Sequence, residues 1–346
     1  MTKETNVNDQ PAQGKKSPSL GDFNFAGDDA VVPFEVEDLD ARGRAVQLGT
    51  AVNSILSRHH YPEPVARLLA EAMVLTVLLG TSLKFDGKFI LQTSSDGPVN
   101  LLVCDFKTPS SLRAYARFDD KKLEEAVASG HDAPEELLGK GTLALTIDQG
   151  EHMQRYQGIV ALDGSSLEEI ARNYFKQSEQ IPTEVKLGVA TLFDRDENGH
   201  SRESWRAGGV LVQHLPKSSI ESQTNKKIDK KTDLDHWREV KALVDTIESS
   251  EMTDPQVGAE RLLFRLFHEH GVRVFNARAI LDQCSCSREK IENVLNTFTA
   301  EEINSSIEHG RITVKCEFCS TVYNFNPEEF LKTGQDNVAD LKAKQN

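Results

Sequence analysis

Four of the five cysteines lie toward the C-terminus in two pairs, Cys284-Ser-Cys286 and Cys316-Glu-Phe-Cys319, separated by 29 residues. Thiolate is both a soft metal ligand and the reactive form of the thiol, and four sulfurs match the tetrahedral preference of zinc. Two close pairs brought together across a loop are a common way to build such a site. Cys284, Cys286, Cys316 and Cys319 are therefore expected to hold one Zn2+ through four thiolates. An all-cysteine site can be a passive staple, but the first pair argues for more. Cys-x-Cys is tighter than the usual two-residue spacing, and each pair is poised to close locally once metal leaves. Coordination keeps all four sulfurs ionised, so an oxidant meets thiolate without waiting for deprotonation.

The elements that must position these thiols follow from the surrounding pattern. RITVK before Cys316 and STVYNF after the second pair are strand-like, which predicts a hairpin knuckle. Between the pairs, SREKIENVLNTFTAEEINSSIEHG offers helical segments that bring the halves together. A module of this size buries little core, and structural zinc contributes roughly 10 to 16 kcal/mol to such modules, against about 5 to 15 for a whole domain. Oxidation is therefore expected to unfold the module and expose apolar surface packed beside it.

Upstream, residues 33–216 read as an α+β domain leaning antiparallel, because strand-like runs cluster instead of alternating with helices. Pro62 and Pro64 mark the entry to a helix from about Glu63 to Gly80, apolar around most of its circumference and hence expected to be buried. KFILQT and NLLVCDF flank the turn SSDGPV as a hairpin, and strand-like runs recur at LRAYARF, GTLALTIDQ, YQGIVAL, TEVKLGVATLF and GGVLVQHL. Ser166, with Glu169 three residues on, caps a helix through ARNYFKQS. Cys104, within NLLVCDF, reads as a core thiol.

Residues 217–275 form the predicted linker. Its first part, KSSIESQTNKKIDKKTD, is polar; two amphipathic helices follow. One carries the stripe Leu234, Trp237, Val240, Val244 and Ile247; the other opens at Asp254-Pro255 and carries Leu262, Leu263, Leu266 and Phe267. Residues 1–32 and 331–346 are expected to be tails, with the zinc-binding redox-switch domain at 276–330. The fold class is α+β: a sheet-rich N-terminal domain with helices, a helical linker and a small C-terminal zinc-binding domain.

Charge narrows the partners. Forty Lys plus Arg against 54 Asp plus Glu gives −14, which repels nucleic acid and anionic membrane. Residues 276–326 hold five basic and seven acidic side chains, the wrong sign for a zinc-ribbon nucleic-acid module, the runner-up reading. The polar N-terminus has no secretory core, and the apolar run AMVLTVLLG is about half the length needed to span a bilayer, so no membrane role and a reducing cytoplasm are expected. No P-loop, dinucleotide fingerprint or nucleophile elbow occurs, and the protein is not expected to be an enzyme. The remaining alternative is a thiol-disulfide oxidoreductase using Cys316 and Cys319, although no helix signal follows that pair closely. His268, His270 and His309 are not needed once four sulfurs fill the site.

From roughly residue 34 to 330 the chain resembles the thirty-three-kilodalton heat-shock protein family, the bacterial redox-regulated holdase chaperones. The resemblance is carried by the two cysteine pairs, YPEPVARLLAEA, TSLKFDGKFILQT with DGPVNLLVCDF, TIDQG followed by RYQGIVAL, and YFKQSEQIPT. It implies an inactive, zinc-bound reduced form. Oxidation would form Cys284–Cys286 and Cys316–Cys319 disulfides, release zinc, unfold the linker and favour an active homodimer. Unfolding proteins would be the clients, held without ATP. The polar tail before Asp22, the extended linker and the tail after Phe330 depart from the family pattern.

Overall fold

The computed structural model describes residues 27–150, 153–163, 166–195, 199–215 and 230–331; most of both expected tails and of the polar linker lie outside the described residues. Strands β1 (Ala30–Val36) and β2 (Ala41–Leu48) lead into helices α1 (Thr50–Ser57) and α2 (Glu63–Ser82). A meander follows, of β3 (Lys88–Ser95), β4 (Val99–Lys107) and β5 (Ser111–Phe118). Helices α3 (Asp120–Ala128) and α4 (Pro134–Leu138), strands β6 (Lys140–Asp148) and β7 (Tyr156–Asp163), helix α5 (Leu167–Tyr174) and the hairpin of β8 (Thr183–Arg195) and β9 (Ser201–His214) complete the N-terminal part. The strands fall into two sheets, one ordered β1-β2-β9-β8 and the other β5-β4-β3-β6-β7. The expected hairpin around SSDGPV is β3 with β4, and Ser166 caps α5 by accepting from the Glu169 N–H.

Helix α2 runs between the sheets, touching β2 and β9 on one side and β4 and β5 on the other. That position requires an apolar surface all round, and Leu68, Leu69, Met73, Leu75 and Leu78 are all buried. Each such side chain contributes about 1.5–3 kcal/mol on burial. Among the described residues α2 is the one helix long and apolar enough to cross a membrane, but it is enclosed by the protein's own sheets.

The first sheet is buried on both faces. Val46, Leu48 and Leu211 turn inward to α2, while Val32, Phe34, Ala45, Val210 and Val212 turn outward to a second cluster. The linker helices α6 (Lys230–Asp245), α7 (Ser249–Thr253) and α8 (Gly258–Phe267) supply the other side of that cluster with Val240, Val244, Met252, Leu263 and Phe267. Helix α7 comes so close that Gly208 has no room for a side chain against the Met252 carbonyl. Polar fastenings surround the seam: Gln47 Nε2 donates to the Met252 carbonyl at 3.2 Å and Arg206 Nε to the Thr253 carbonyl at 2.6 Å.

The second linker helix opens at Gly258 and not at Asp254-Pro255. The Asp254 carboxylate accepts the Gln256 N–H at 2.8 Å in a local turn, which competes with helix initiation. A capping box of Glu248 and Glu251 starts the separate short helix α7 upstream. Other edges also shift. The first strand begins at Ala30, inside the segment expected as tail, and α6 begins at Lys230, inside the expected polar stretch.

Beyond α8, β10 (Val272–Val274) and β11 (Arg278–Ala279) pair with β1, and β12 (Leu281–Asp282) pairs in parallel with β5. Residues 272–282 are therefore stitched to both N-terminal sheets. The C-terminal module follows: α9 (Arg288–Leu295), α10 (Ala300–Ser305), a small sheet of β13 (Ile307–Glu308), β14 (Arg311–Lys315) and β15 (Val322–Phe325), and α11 (Glu328–Leu331). Its core is Leu295, Ile303, Ile312, Phe325 and Phe330.

Candidate metal centre

Cys284 and Cys286 lie in the short stretch between β12 and α9, whose N-cap Ser287 accepts the Lys290 N–H at 3.3 Å. Cys316 and Cys319 occupy the turn from β14 to β15, the expected hairpin knuckle. There the Cys316 N–H donates to the Thr321 carbonyl at 2.9 Å and the Ser320 N–H to the Cys316 carbonyl at 2.8 Å. Ser320 takes a left-handed φ of 58° to close the knuckle.

The fold brings all four sulfurs to within 4.8 Å of one another. Cys284 Sγ lies 3.8 Å from Cys316 Sγ, and Cys286 Sγ lies 3.4 Å from Cys319 Sγ. A zinc–sulfur bond of about 2.3 Å implies a tetrahedron with edges of about 3.8 Å. The donor set therefore fits a zinc ion, and each of these contacts joins one cysteine from each pair.

The thiols differ in their surroundings. Burial pushes Cys286 up to about 12 and raises Cys316 as well. Burial also acts upward on Cys319, but hydrogen bonds with the Thr321 hydroxyl and backbone and with Cys286 and Cys316 together outweigh it and draw this thiol down to about 6. The Tyr323 hydroxyl, 3.2 Å from Cys286 Sγ, adds a polar neighbour on the other side. Four thiolates this close repel one another, so full ionisation calls for a cation at their centre. A cleft of about 470 Å³ lined by Lys88, Lys107, Arg113 and Lys290 opens onto Cys284 and Cys286, so solvent reaches the first pair.

The knuckle is docked on the N-terminal domain. Phe318, between the second pair, lies under the Arg113 guanidinium at 4.0 Å and beside the Tyr115 ring at 6.3 Å. The Phe318 carbonyl can only accept, so His59 Nε2, 3.2 Å away, carries the proton. Arg113 Nη1 lies 3.8 Å from Cys284 Sγ. Alongside, Ser54 donates to Asp282 at 2.7 Å, and Arg58 pairs with the same carboxylate.

Sequence reasoning places the four cysteines and misses their neighbours. Arg113 and Cys284 are 171 residues apart, and no local pattern links them. Phe318 stands inside Cys-Glu-Phe-Cys but reads there only as a spacer. Cys104 is fully buried in β4, as its apolar setting predicts.

Comparison with known proteins bears on this arrangement. The family described as Hsp33 protein matches residues 29–326. A 33 kDa chaperonin of Caulobacter vibrioides is 42% identical over 303 residues, covering 87% of this chain and 95% of that protein. The 33 kDa chaperonin of Pseudomonas fluorescens is 36% identical over 316 residues, covering 89% and 96%. The crystal structure of the 33 kDa chaperonin from Thermotoga maritima covers 90% of this chain and 99% of its own, with a TM-score of 0.67 at 20% identity, a likeness of fold.

Proposed function

The chain belongs to the Hsp33 family, and from that premise we propose that it is a redox-regulated, ATP-independent holdase of the cytoplasm. One observation carries the reading: four thiols at zinc spacing sit in a module with a core of five buried side chains, docked on β5 and joined through residues 272–282 to the sheet whose outer apolar face packs, among the described residues, against α6, α7 and α8. In the reduced form zinc, held by Cys284, Cys286, Cys316 and Cys319, supplies the folding energy of the module.

Oxidation acts on the sulfurs. Two thiolates of a local pair give up two electrons to hydrogen peroxide, an S–S bond forms, the O–O bond breaks, and two protons from water complete two water molecules. Cys284 pairs with Cys286, and Cys316 with Cys319. Disulfide sulfurs no longer bind a dication, so the module loses its staple and Phe318 loses its fixed place on Arg113 and Tyr115. Residues 272–282 then keep only their strand pairing with β1 and β5, and the linker helices separate from Phe34, Val210 and Val212. Unfolding clients bind the apolar surface thus exposed. The edge strands β7 and β8 already present Ile159 and Phe193, 65% and 72% exposed, a surface suited to a client segment or to a second copy in an oxidised dimer.

The test is aggregation of a heat-unfolding client, followed by light scattering, with the protein reduced or treated with peroxide at elevated temperature. Suppression by the oxidised form alone is expected, accompanied by zinc release. Equal suppression by both forms would overturn the redox reading.

A further inference from the structure

Arg113 stands on β5 with its guanidinium fully committed. Nε and Nη2 donate to Asp105 Oδ2 at 2.8 and 2.5 Å, and Asp105 is itself buried. The remaining nitrogen, Nη1, lies 3.8 Å from Cys284 Sγ, while the guanidinium carbon sits 4.0 Å above the Phe318 ring. One side chain of the N-terminal sheet thus reaches both halves of the metal centre: a ligand of the first pair and the residue between the ligands of the second. Lysine could not do this, since a point charge offers no planar fork for Asp105 and no flat face for Phe318.

We propose that Arg113 is a positioning residue that sets how readily the metal centre is oxidised. Its N–H stabilises charge on the Cys284 sulfur, which lowers the electron density offered to an incoming peroxide. Its flat face holds Phe318, and through it the Cys316–Cys319 knuckle, against the sheet. Asp105 fixes the orientation of both contacts. Neither effect transfers electrons; Arg113 acts through the ligands. The inference rests on the four-thiolate reading above.

The experiment compares zinc release from full-length, zinc-loaded protein with a colorimetric chelator, once with peroxide and once without. Arg113→Met keeps the length of the side chain but leaves Asp105 buried and unpaired, so it is also made together with Asp105→Asn, which removes the stranded charge. The double variant is expected to release zinc about tenfold faster in both assays, the size of effect that one charge-assisted hydrogen bond sustains. Phe318→Leu should accelerate release by less, because it removes the stacking and leaves the guanidinium beside Cys284. Arg113→Lys should fall between wild type and Arg113→Met. Unchanged release from the double variant in the chelator assay would overturn the proposal. Failure of wild-type protein to release zinc under peroxide would instead overturn the redox reading, while the chelator assay still decides the role of Arg113.

Discussion

The core around α2 and the C-terminal module are built from different side chains. Leu68, Leu69, Met73 and their neighbours are enclosed between two sheets and need nothing but burial. The module has Leu295, Ile303, Ile312, Phe325 and Phe330, and beyond them four thiols. The five cysteines show the same division. Cys104 is sealed inside the core, where burial pushes its thiol far above the ordinary range, whereas Cys319 is drawn down to about 6. On the redox reading proposed above, an oxidant would therefore meet its most ionised sulfur in the module and not in the core. Helices α6, α7 and α8 lie between these extremes: their apolar stripe is buried from Val240 on while Leu234, expected on the same stripe, is exposed, and Gln47 and Arg206 tie α7 to the sheet through hydrogen bonds that water can replace.

The largest effect that tests this contrast is metal removal. A strong chelator should withdraw the roughly 10 to 16 kcal/mol that coordination contributes to such modules, and amide exchange should then show residues 288–331 unprotected. Helix α2 and the β3–β4 hairpin should keep their protection. Equal loss in α2 would break the comparison, because it would make the core depend on the module.

A core truncation on each face of the first sheet sharpens it. Phe267 is fully buried and stacks on Phe34 at 5.8 Å between ring centres, so Phe267→Ala should cost about 3–5 kcal/mol of linker packing. Its expected signature is binding of an apolar dye by reduced, zinc-loaded protein with the sheets still folded. Met73→Ala, on the other face, should cost about 2–5 kcal/mol and lower the denaturant midpoint of the whole N-terminal domain without dye binding. Indistinguishable behaviour of the two variants would show that the linker is not a separate unit.

Legibility in the sequence followed the same division. The clustering of the four candidate ligands was readable because a zinc site calls for four donors and the chain supplies four sulfurs in two tight pairs, and α2 was readable because an all-round apolar helix has nowhere to go but inside. Asp254-Pro255 misled because one aspartate can cap a helix or close a turn, and only the neighbouring Glu248–Glu251 box decides between them. The docking of the knuckle was not readable. It depends on β5 and the second cysteine pair meeting in space, and the contacts of Arg113 are tertiary.

Within the core, Glu71 offers a finer test. Burial, aided by Glu168 and Glu135 and opposed by Arg67, raises its carboxyl to about 7 from an ordinary value of 4.5. The folded state therefore holds a proton that the unfolded state has released, and stability should fall as pH rises from 4.5 through 7. Glu71→Gln should remove that slope and stabilise the protein at pH 8 by about 1–2 kcal/mol, less than the full shift because the residue is only partly shielded. Urea midpoints across this pH range read the difference, and a pH dependence identical to wild type would show that Glu71 is not the titrating group.

The smallest effect belongs to the module. Thr299 caps α10 in a reciprocal box, accepting the Glu302 N–H at 3.3 Å while the Glu302 carboxylate accepts the Thr299 N–H at 2.8 Å. Thr299→Ala should cost about 1 kcal/mol, a large share of what so small a core supplies without metal and a small one beside coordination. Amide exchange in α10 should therefore rise only modestly in the zinc-loaded protein. At partial zinc occupancy, the variant should need a higher free zinc concentration, by about fivefold, to fold the same fraction of modules. A zinc titration unchanged by the substitution would mean that the module's local structure does not couple to metal binding, and the proposed division between a core held by burial and a module held by coordination would have to be redrawn at α10.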